Sequence, residues 1–233
     1  MHESQAKAYF LRDIRQARKS IDAFYKLPHE FASKKHVLTF ARAFREAHQG
    51  VVLFEYKKPS RHQWHYHSTY FYVEPTAFDE DGIGKLIMVQ QTTLDSKKLI
   101  KNDLEELLKI ELSTDIMFHS HFFIRLIQRA NLTGLQPALA LIADAVGEIM
   151  LYIKYAKQEV QTGKTIYIVF PDKVFVVTPE TEQNVLVFKT VLLAEFMTDK
   201  QQQLYRMALA EARLSSQGYV IYRAPDDQQD HDI

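Results

Sequence analysis

The sequence predicts an α+β protein, with helices and a small antiparallel sheet in its amino-terminal half and a helix packed on a curved antiparallel sheet in its carboxy-terminal half. Two observations support this prediction. Apolar residues recur at helical spacing in several long segments, and short β-branched or aromatic runs between turn signals occur in two groups. We expect an amino-terminal region over residues 1–112, an α+β domain over 113–223 and an acidic tail over 224–233.

The amino-terminal half is predicted to begin with two helices. One apolar stripe predicts an amphipathic helix that ends at Pro28, and a second predicts a helix that ends at Gly50. A strand-like apolar run at 51–56, alternating aromatic and polar residues at 62–74 and a run at 85–93 after a turn predict three strands, which together make a small antiparallel sheet. The two helical stripes are Phe10, Ile14, Ala17, Ile21 and Phe24, and Val37, Phe40, Ala41 and Phe44.

The second half is predicted to follow a joining helix over residues 95–111, indicated by Leu99, Leu104, Leu107, Leu108 and Ile110. A helix reaching Arg129 comes next and is broken at 131–134, and Pro137 then suits the first position of a long helix. The remaining predicted elements are a hairpin of strands 165–170 and 173–178 joined by Pro171 and Asp172, a strand at 184–192, a helix at 200–215 and a strand at 219–222.

Composition limits the classes of function. Cysteine is absent, which excludes disulfides and thiolate metal sites and favours a reducing compartment. No apolar run is long enough to span a membrane and the first residues lack a signal-peptide pattern, so we expect a cytoplasmic protein without a membrane partner. The net charge is zero, but residues 1–61 hold 13 Lys and Arg against 6 Asp and Glu. This excess allows a basic surface for an anionic partner.

The most informative pattern is a cationic stripe in an otherwise apolar segment. His121, Arg125 and Arg129 recur every fourth residue, so a helix places them side by side next to an apolar face. The planar guanidinium group of arginine fits a phosphate with two parallel hydrogen bonds. Histidine can act as a general base or acid near neutral pH. The stripe therefore predicts a phosphate site.

The order of these residues resembles the RelE-like branch of a superfamily of small ribonuclease toxins that also includes barnase, EndoU and the colicin nucleases. The resemblance rests on the pattern His-x3-Arg-x3-Arg, followed after a helix by the strand pair 165–178 and by Val187-Phe-Lys-Thr190, and it covers about residues 115–195. Families with that helix motif usually have Ser or Thr two residues before the histidine, where this chain has His119. The resemblance implies RNA cleavage and a possible neutralising protein partner.

Metal-independent RNA cleavage needs a base for the ribose 2′-hydroxyl, an acid for the leaving oxygen and cations for the charge that develops on phosphate. We expect His121 to transfer the proton and Arg125 and Arg129 to hold the phosphate. Lys189 and Thr190 could add a further charge and a hydroxyl donor, but neighbouring strand residues face opposite ways, so only one of them is expected to join the site. This interpretation requires neither a metal nor a cofactor.

The alternative is a protein that binds nucleic acid or another protein without catalysis, using the same stripe only for contact. The arginines could also be solvated or paired with Asp144 or Glu148. A second basic surface is predicted on the first helix, where Arg12, Arg15 and Lys19 could follow a phosphate backbone, dock on an acidic partner or lie in solvent.

A third pattern lies in the aromatic strand near residue 65. His65 and His67 share one face of that strand and could begin a zinc or copper site, but no third ligand at a useful spacing is evident. Its aromatic residues could stack on single-stranded bases or simply form core. We therefore expect no metal site, and the role of this histidine pair stays open.

Overall fold

The computed structural model describes residues 1–28, 34–58, 65–72, 85–95, 109–156, 165–180, 185–214 and 220–223, and the statements below concern those residues. The α+β class is confirmed, because helices occur beside an extended sheet that is mostly antiparallel. The helices are α1 (Glu3–Lys26), α2 (Lys34–His48), α3 (Ser120–Arg129), α4 (Leu135–Ala156) and α5 (Asp199–Leu214). The strands are β1 (Val52–Lys58), β2 (His65–Tyr72), β3 (Lys85–Asp95), β4 (Lys109–His119), β5 (Ile166–Val169), β6 (Lys173–Glu180), β7 (Val185–Leu193) and β8 (Val220–Arg223).

The described strands form one eight-stranded sheet in the order β1-β2-β3-β4-β7-β6-β5-β8. Strands β1 to β4 pair with their sequence neighbours in antiparallel fashion, and so do β5, β6 and β7, while β8 adds to the outer edge of β5. A short parallel pairing between β4 and β7 joins the two groups, through Ile116, Met117 and Phe118. The predicted domain boundary at 112/113 falls within β4, and the division into domains stays a prediction.

The predicted joining helix over 95–111 is wrong at its carboxyl end. Residues 109–111 belong to β4, where Ile110 pairs with Thr92 of β3. Ile110, Leu112, Ile116 and Phe118 follow the two-residue period of a strand, but the leucines just before them imitate a helical spacing. Residues 96–108 of that predicted helix lie outside the described part of the chain.

The other expected elements are present where the chain is described. Both helical stripes pack inward: Phe10, Ile14, Ala17 and Phe24 of α1 are buried. Phe40 and Phe44 of α2 are buried as well. The Pro171-Asp172 connection is closed by a hydrogen bond from the amide of Phe170 to the carbonyl of Lys173 at 2.8 Å, as a two-residue hairpin requires.

Aromatic rings join α1 and α3 to the sheet. The ring of Phe10 in α1 stacks on that of Phe123 in α3, with centroids 5.9 Å apart. Phe122 lies 5.1 Å from the ring of Phe118 in β4 and 5.9 Å from that of Phe175 in β6. Since all of these rings belong to one continuous cluster of buried residues, α3 is held rigidly over the junction of β4 and β7.

The link between α3 and α4 is the break predicted at 131–134. Asn131 has a φ of 51°, the left-handed conformation that commonly follows a helix. The carboxylate of Asp13 in α1 accepts the backbone N–H of Leu135 at 2.8 Å and so caps α4 from another helix. Gly134 lies against that carboxylate, where a Cβ atom would overlap it. Three helices are therefore tied together at this point.

Candidate phosphate site on helix α3

Helix α3 begins directly at the end of β4. His119 is its N-cap residue, and the imidazole Nδ1 of His119 accepts the backbone N–H of His121 at 3.4 Å. The parallel pairing sets Phe118 beside Phe188 of β7, so the next residues along the two strands are His119 and Lys189. This register brings the first turn of α3 close to the middle of β7.

The predicted stripe is present as a connected group of side chains. Arg125 donates its Nε–H to Nε2 of His121 at 2.9 Å. Because an imidazolium has no lone pair to accept this bond, His121 is neutral in this arrangement and carries its proton on Nδ1. Burial lowers the pKa of His121, and the positive charges of Arg125 and Arg129 lower it further, although the nearby Glu3 carboxylate opposes them.

The guanidinium group of Arg125 has two further partners. Its Nη1 donates to Oε1 of Gln128 at 3.1 Å and lies 3.4 Å from Oε2 of Glu3 in α1. The acidic neighbour of Arg125 is thus Glu3, and not the Asp144 or Glu148 considered from the sequence. Within the described residues, Nη2 of Arg125 makes no hydrogen bond or ion pair.

Arg129 links the helix to the sheet. Its Nη1 donates to the backbone carbonyl of Val191 in β7 at 2.6 Å. Burial and the charge of Arg125 both lower the pKa of Arg129 below its ordinary value, yet an arginine stays charged in proteins. The two guanidinium groups therefore repel one another in a half-buried place. No carboxylate of the described residues pairs with Arg129.

Lys189 and Thr190 occupy a β-bulge of β7. Phe188 pairs with Val177 and Thr190 with Val176, which leaves Lys189 as the extra residue. Phe188 and Val191 are consequently both buried although three positions apart, while Lys189 is exposed and Thr190 half-buried. Among the described residues, no hydrogen bond or ion pair joins either of them to the stripe. Their part in the site stays a prediction, and the simple alternation expected from sequence does not apply here.

The basic residues of α1 line a shallow surface groove. Arg12, Arg15 and Lys19 border one depression of about 520 Å³. Arg15 and Lys19 also border a second, adjoining depression with Arg18 and Lys26, and the two together are called the groove. All of these residues except Arg18 lie on the face of α1 opposite to its buried residues, and α3 packs on the buried face. The groove and the stripe therefore face different directions and do not form one site.

Arg12 has the most partners of the three predicted nucleic-acid contacts. Its Nε lies 2.7 Å from the Asp13 carboxylate, its Nη2 donates to the carbonyl of Thr133 at 3.0 Å, and its guanidinium lies 5.0 Å from the ring centroid of Tyr9. The hydrogen bond from Arg12 to Asp13 and the carboxylate charge raise the pKa of Arg12. Arg15 and Lys19 are the more accessible of the three predicted nucleic-acid contacts.

Two members of the site were not predicted. Glu3 reaches Arg125 from a segment more than 100 residues away, a contact that no local spacing can reveal. Gln128 lies within the helix itself, and its position three residues after Arg125 was a usable signal. His65 and His67 lie in β2 as predicted, and the structure describes only their backbone. The acidic tail lies outside the described residues.

Comparison with protein-family profiles, with curated proteins and with solved structures found no match to this chain. The described part of the chain contains no group of three or more metal-ligating side chains. None of the described helices has both the length and the apolar character needed to cross a lipid bilayer.

Proposed function

We propose that this chain binds RNA in the cytoplasm and holds one backbone phosphate on the stripe of His121, Arg125 and Arg129. The observation that carries this proposal is the pair of adjacent guanidinium groups with donors left over: Nη2 of Arg125 and the remaining N–H groups of Arg129 have no partner among the described residues. An anion between them relieves their mutual repulsion and satisfies these donors. The choice of RNA follows the resemblance of the sequence motif to RelE-like ribonucleases.

The groove on α1 adds affinity and no chemistry in this proposal. Its exposed cations release counterions when they meet phosphates, so binding weakens as salt concentration rises. Replacing Arg15 and Lys19 by glutamine should reduce the slope of log affinity against log salt by up to about two, since each phosphate contact contributes roughly 0.7 to 0.9. An unchanged slope would remove the groove from the binding surface.

A second candidate, metal-independent RNA cleavage, is favoured by the neutral state of His121. A neutral imidazole beside two guanidinium groups is what a general base for the 2′-hydroxyl requires. The lone pair of Nε2 is held by Arg125, so His121 becomes available only when Arg125 turns towards a phosphate. Substrate binding would then free the base, with Lys189 or Thr190 as further candidate donors, and the product would carry a cyclic phosphate.

One set of variants tests both candidates. Arg125→Ala should weaken binding of a fluorescent single-stranded RNA roughly tenfold in anisotropy titrations, because a hydrogen bond to a charged group contributes about 1.5 kcal/mol or more. Arg206→Ala is the matched control, since Arg206 lies on α5 and bonds only to Gln202 among the described residues. Equal affinities for the parent, Arg125→Ala and Arg206→Ala would refute the proposed site.

His121→Ala separates binding from cleavage. It should keep most of the affinity, because the phosphate-holding charges remain. If the chain cleaves RNA, the same variant should lower the rate by about 10²- to 10⁴-fold, and the parent should remain active in a metal chelator. RNA that stays intact with the parent protein over pH 5 to 9 would leave binding as the function and exclude cleavage.

A further inference from the structure

The charge of the stripe is set by a residue from another helix. Arg125 and Arg129 contribute two positive charges, and neutral His121 contributes none. Glu3 of α1 contributes one negative charge at 3.4 Å from Nη1 of Arg125. The group of His121, Arg125, Arg129 and Glu3 thus carries a net charge of +1. A charged N–H to carboxylate bond is usually 2.7 to 2.9 Å long, so this pair is close without being tight.

Glu3 is held near the stripe by the fold. It lies in the first turn of α1, where His2 caps the helix, and Ala6 and Phe10 are fully buried on the same side of the helix. Its side chain is 45% exposed, which leaves the carboxylate free to change rotamer while its backbone stays in place. Its charge also raises the pKa of His121, which indicates that it acts on the stripe as a whole.

We propose that Glu3 makes the site selective for an internal phosphodiester of RNA over a terminal phosphate group. This inference rests on the proposed function. An internal phosphodiester has one negative charge and matches the net charge of the site. A terminal phosphomonoester has about 1.5 to 2 negative charges near pH 7, and its additional charge is repelled by the carboxylate of Glu3.

The test compares two short RNA oligonucleotides of one sequence, one with a 5′-hydroxyl and one with a 5′-phosphate. The parent protein should bind the 5′-hydroxyl form at least as tightly. Glu3→Gln should shift the ratio of the two dissociation constants by about two- to fivefold towards the phosphorylated form, the range expected from exposed charge pairs. Because the ratio is taken within each variant, effects common to both RNAs cancel, and the remaining general effect of net charge is measured with a control variant.

Asp199→Asn is the matched control, because Asp199 also lies in the first turn of a helix and has the same charge. It should leave the ratio unchanged. Glu3→Asp keeps the charge but shortens the side chain, so its ratio should stay near that of the parent, and this variant also guards against a misfolded Glu3→Gln. Circular dichroism should show equal helix content for the parent and all three variants.

The possible results distinguish a failure of the selectivity assigned to Glu3 from a failure of the phosphate site itself. If Arg125→Ala weakens the binding of both RNAs but Glu3→Gln has the same ratio of dissociation constants as the parent, the proposed selectivity is wrong and the phosphate site stands. A parent protein that prefers the 5′-phosphorylated RNA also overturns the selectivity. If Arg125→Ala and Glu3→Gln change the binding of neither RNA, the proposed function is wrong and the inference falls with it.

Discussion

At the scale of single residues, His48 is the most buried titratable group described. It ends α2, and its Nδ1 donates to the carbonyl of Phe44 at 2.8 Å. Its ring stacks on that of Phe44 at 4.1 Å and lies 4.5 Å from that of Tyr70. Burial lowers the pKa of His48, although the bond to Phe44 partly opposes this. The folded protein therefore disfavours the charged form of His48.

This lowered pKa predicts a loss of stability in acid. Above pH of about 6.5, His48 is neutral in both the folded and the unfolded chain and adds no pH dependence. Below that pH the unfolded chain is protonated at this histidine to a greater extent than the folded chain, so the free energy of unfolding falls until the folded chain is protonated as well. The contribution of one such proton is at most about 1.4 kcal/mol per pH unit.

His48→Asn keeps a donor near Phe44 but cannot titrate. The free energy of unfolding, measured by urea titration between pH 8 and 5, should therefore fall less steeply below pH 6.5 than in the parent. Phe44→Leu is the control, because it loosens the same packing and leaves the histidine in place. If the free energy of unfolding changes with pH in the same way in His48→Asn and in the parent, His48 has the same pKa in the folded and the unfolded chain.

Gly134 is required by a neighbour from another helix. A Cβ atom added at this position would overlap the Asp13 carboxylate that caps α4 at Leu135, so Gly134→Ala should displace this cap. We expect a loss of about 1 to 2 kcal/mol in the free energy of unfolding, the usual contribution of an N-cap. In an Asp13→Ala background the same substitution should cost much less, and equal costs in both backgrounds would argue against the contact.

At the scale of elements, α3 depends on aromatic packing more than on its charged stripe. Phe122 is fully buried, and its ring contacts those of Phe118, Phe175 and Phe188 on three strands. Phe122→Ala should lower the free energy of unfolding by about 3 to 5 kcal/mol, as measured in urea. Met207→Ala, at a side chain that is 61% exposed, should change it by less than about 0.5 kcal/mol.

The sequence predicted most elements because their periods are local properties. The stripe of His121, Arg125 and Arg129 follows from helical spacing alone, and the structure places the three residues together. Strand β4 was missed because its alternation follows directly on a leucine-rich segment. The bulge at Lys189 and the contact of Glu3 with Arg125 depend on chain segments far apart in sequence, so no local pattern could indicate them.

At the scale of the whole molecule, one cluster of buried residues extends from Phe40 and Tyr70 in the amino-terminal half to Phe175 and Phe188 in the carboxy-terminal half. A shared core couples the halves, so we expect a single cooperative unfolding transition in which near- and far-ultraviolet circular dichroism coincide. Two separate transitions would instead support the division at residues 112 and 113 into independent domains. Phe118→Ala, at the junction, should lower the midpoint of the whole transition.

The parallel pairing of β4 with β7 has a consequence for synthesis on the ribosome. Phe118 pairs with Phe188, so β4 must wait for a partner made about 70 residues later. At common translation rates this wait lasts roughly 4 to 14 seconds. During that interval the outer edge of β4, with the apolar Ile116 and Phe118, has unpaired backbone groups that can template aggregation. We therefore expect the nascent chain to be open to aggregation after β4 emerges and before β7 does.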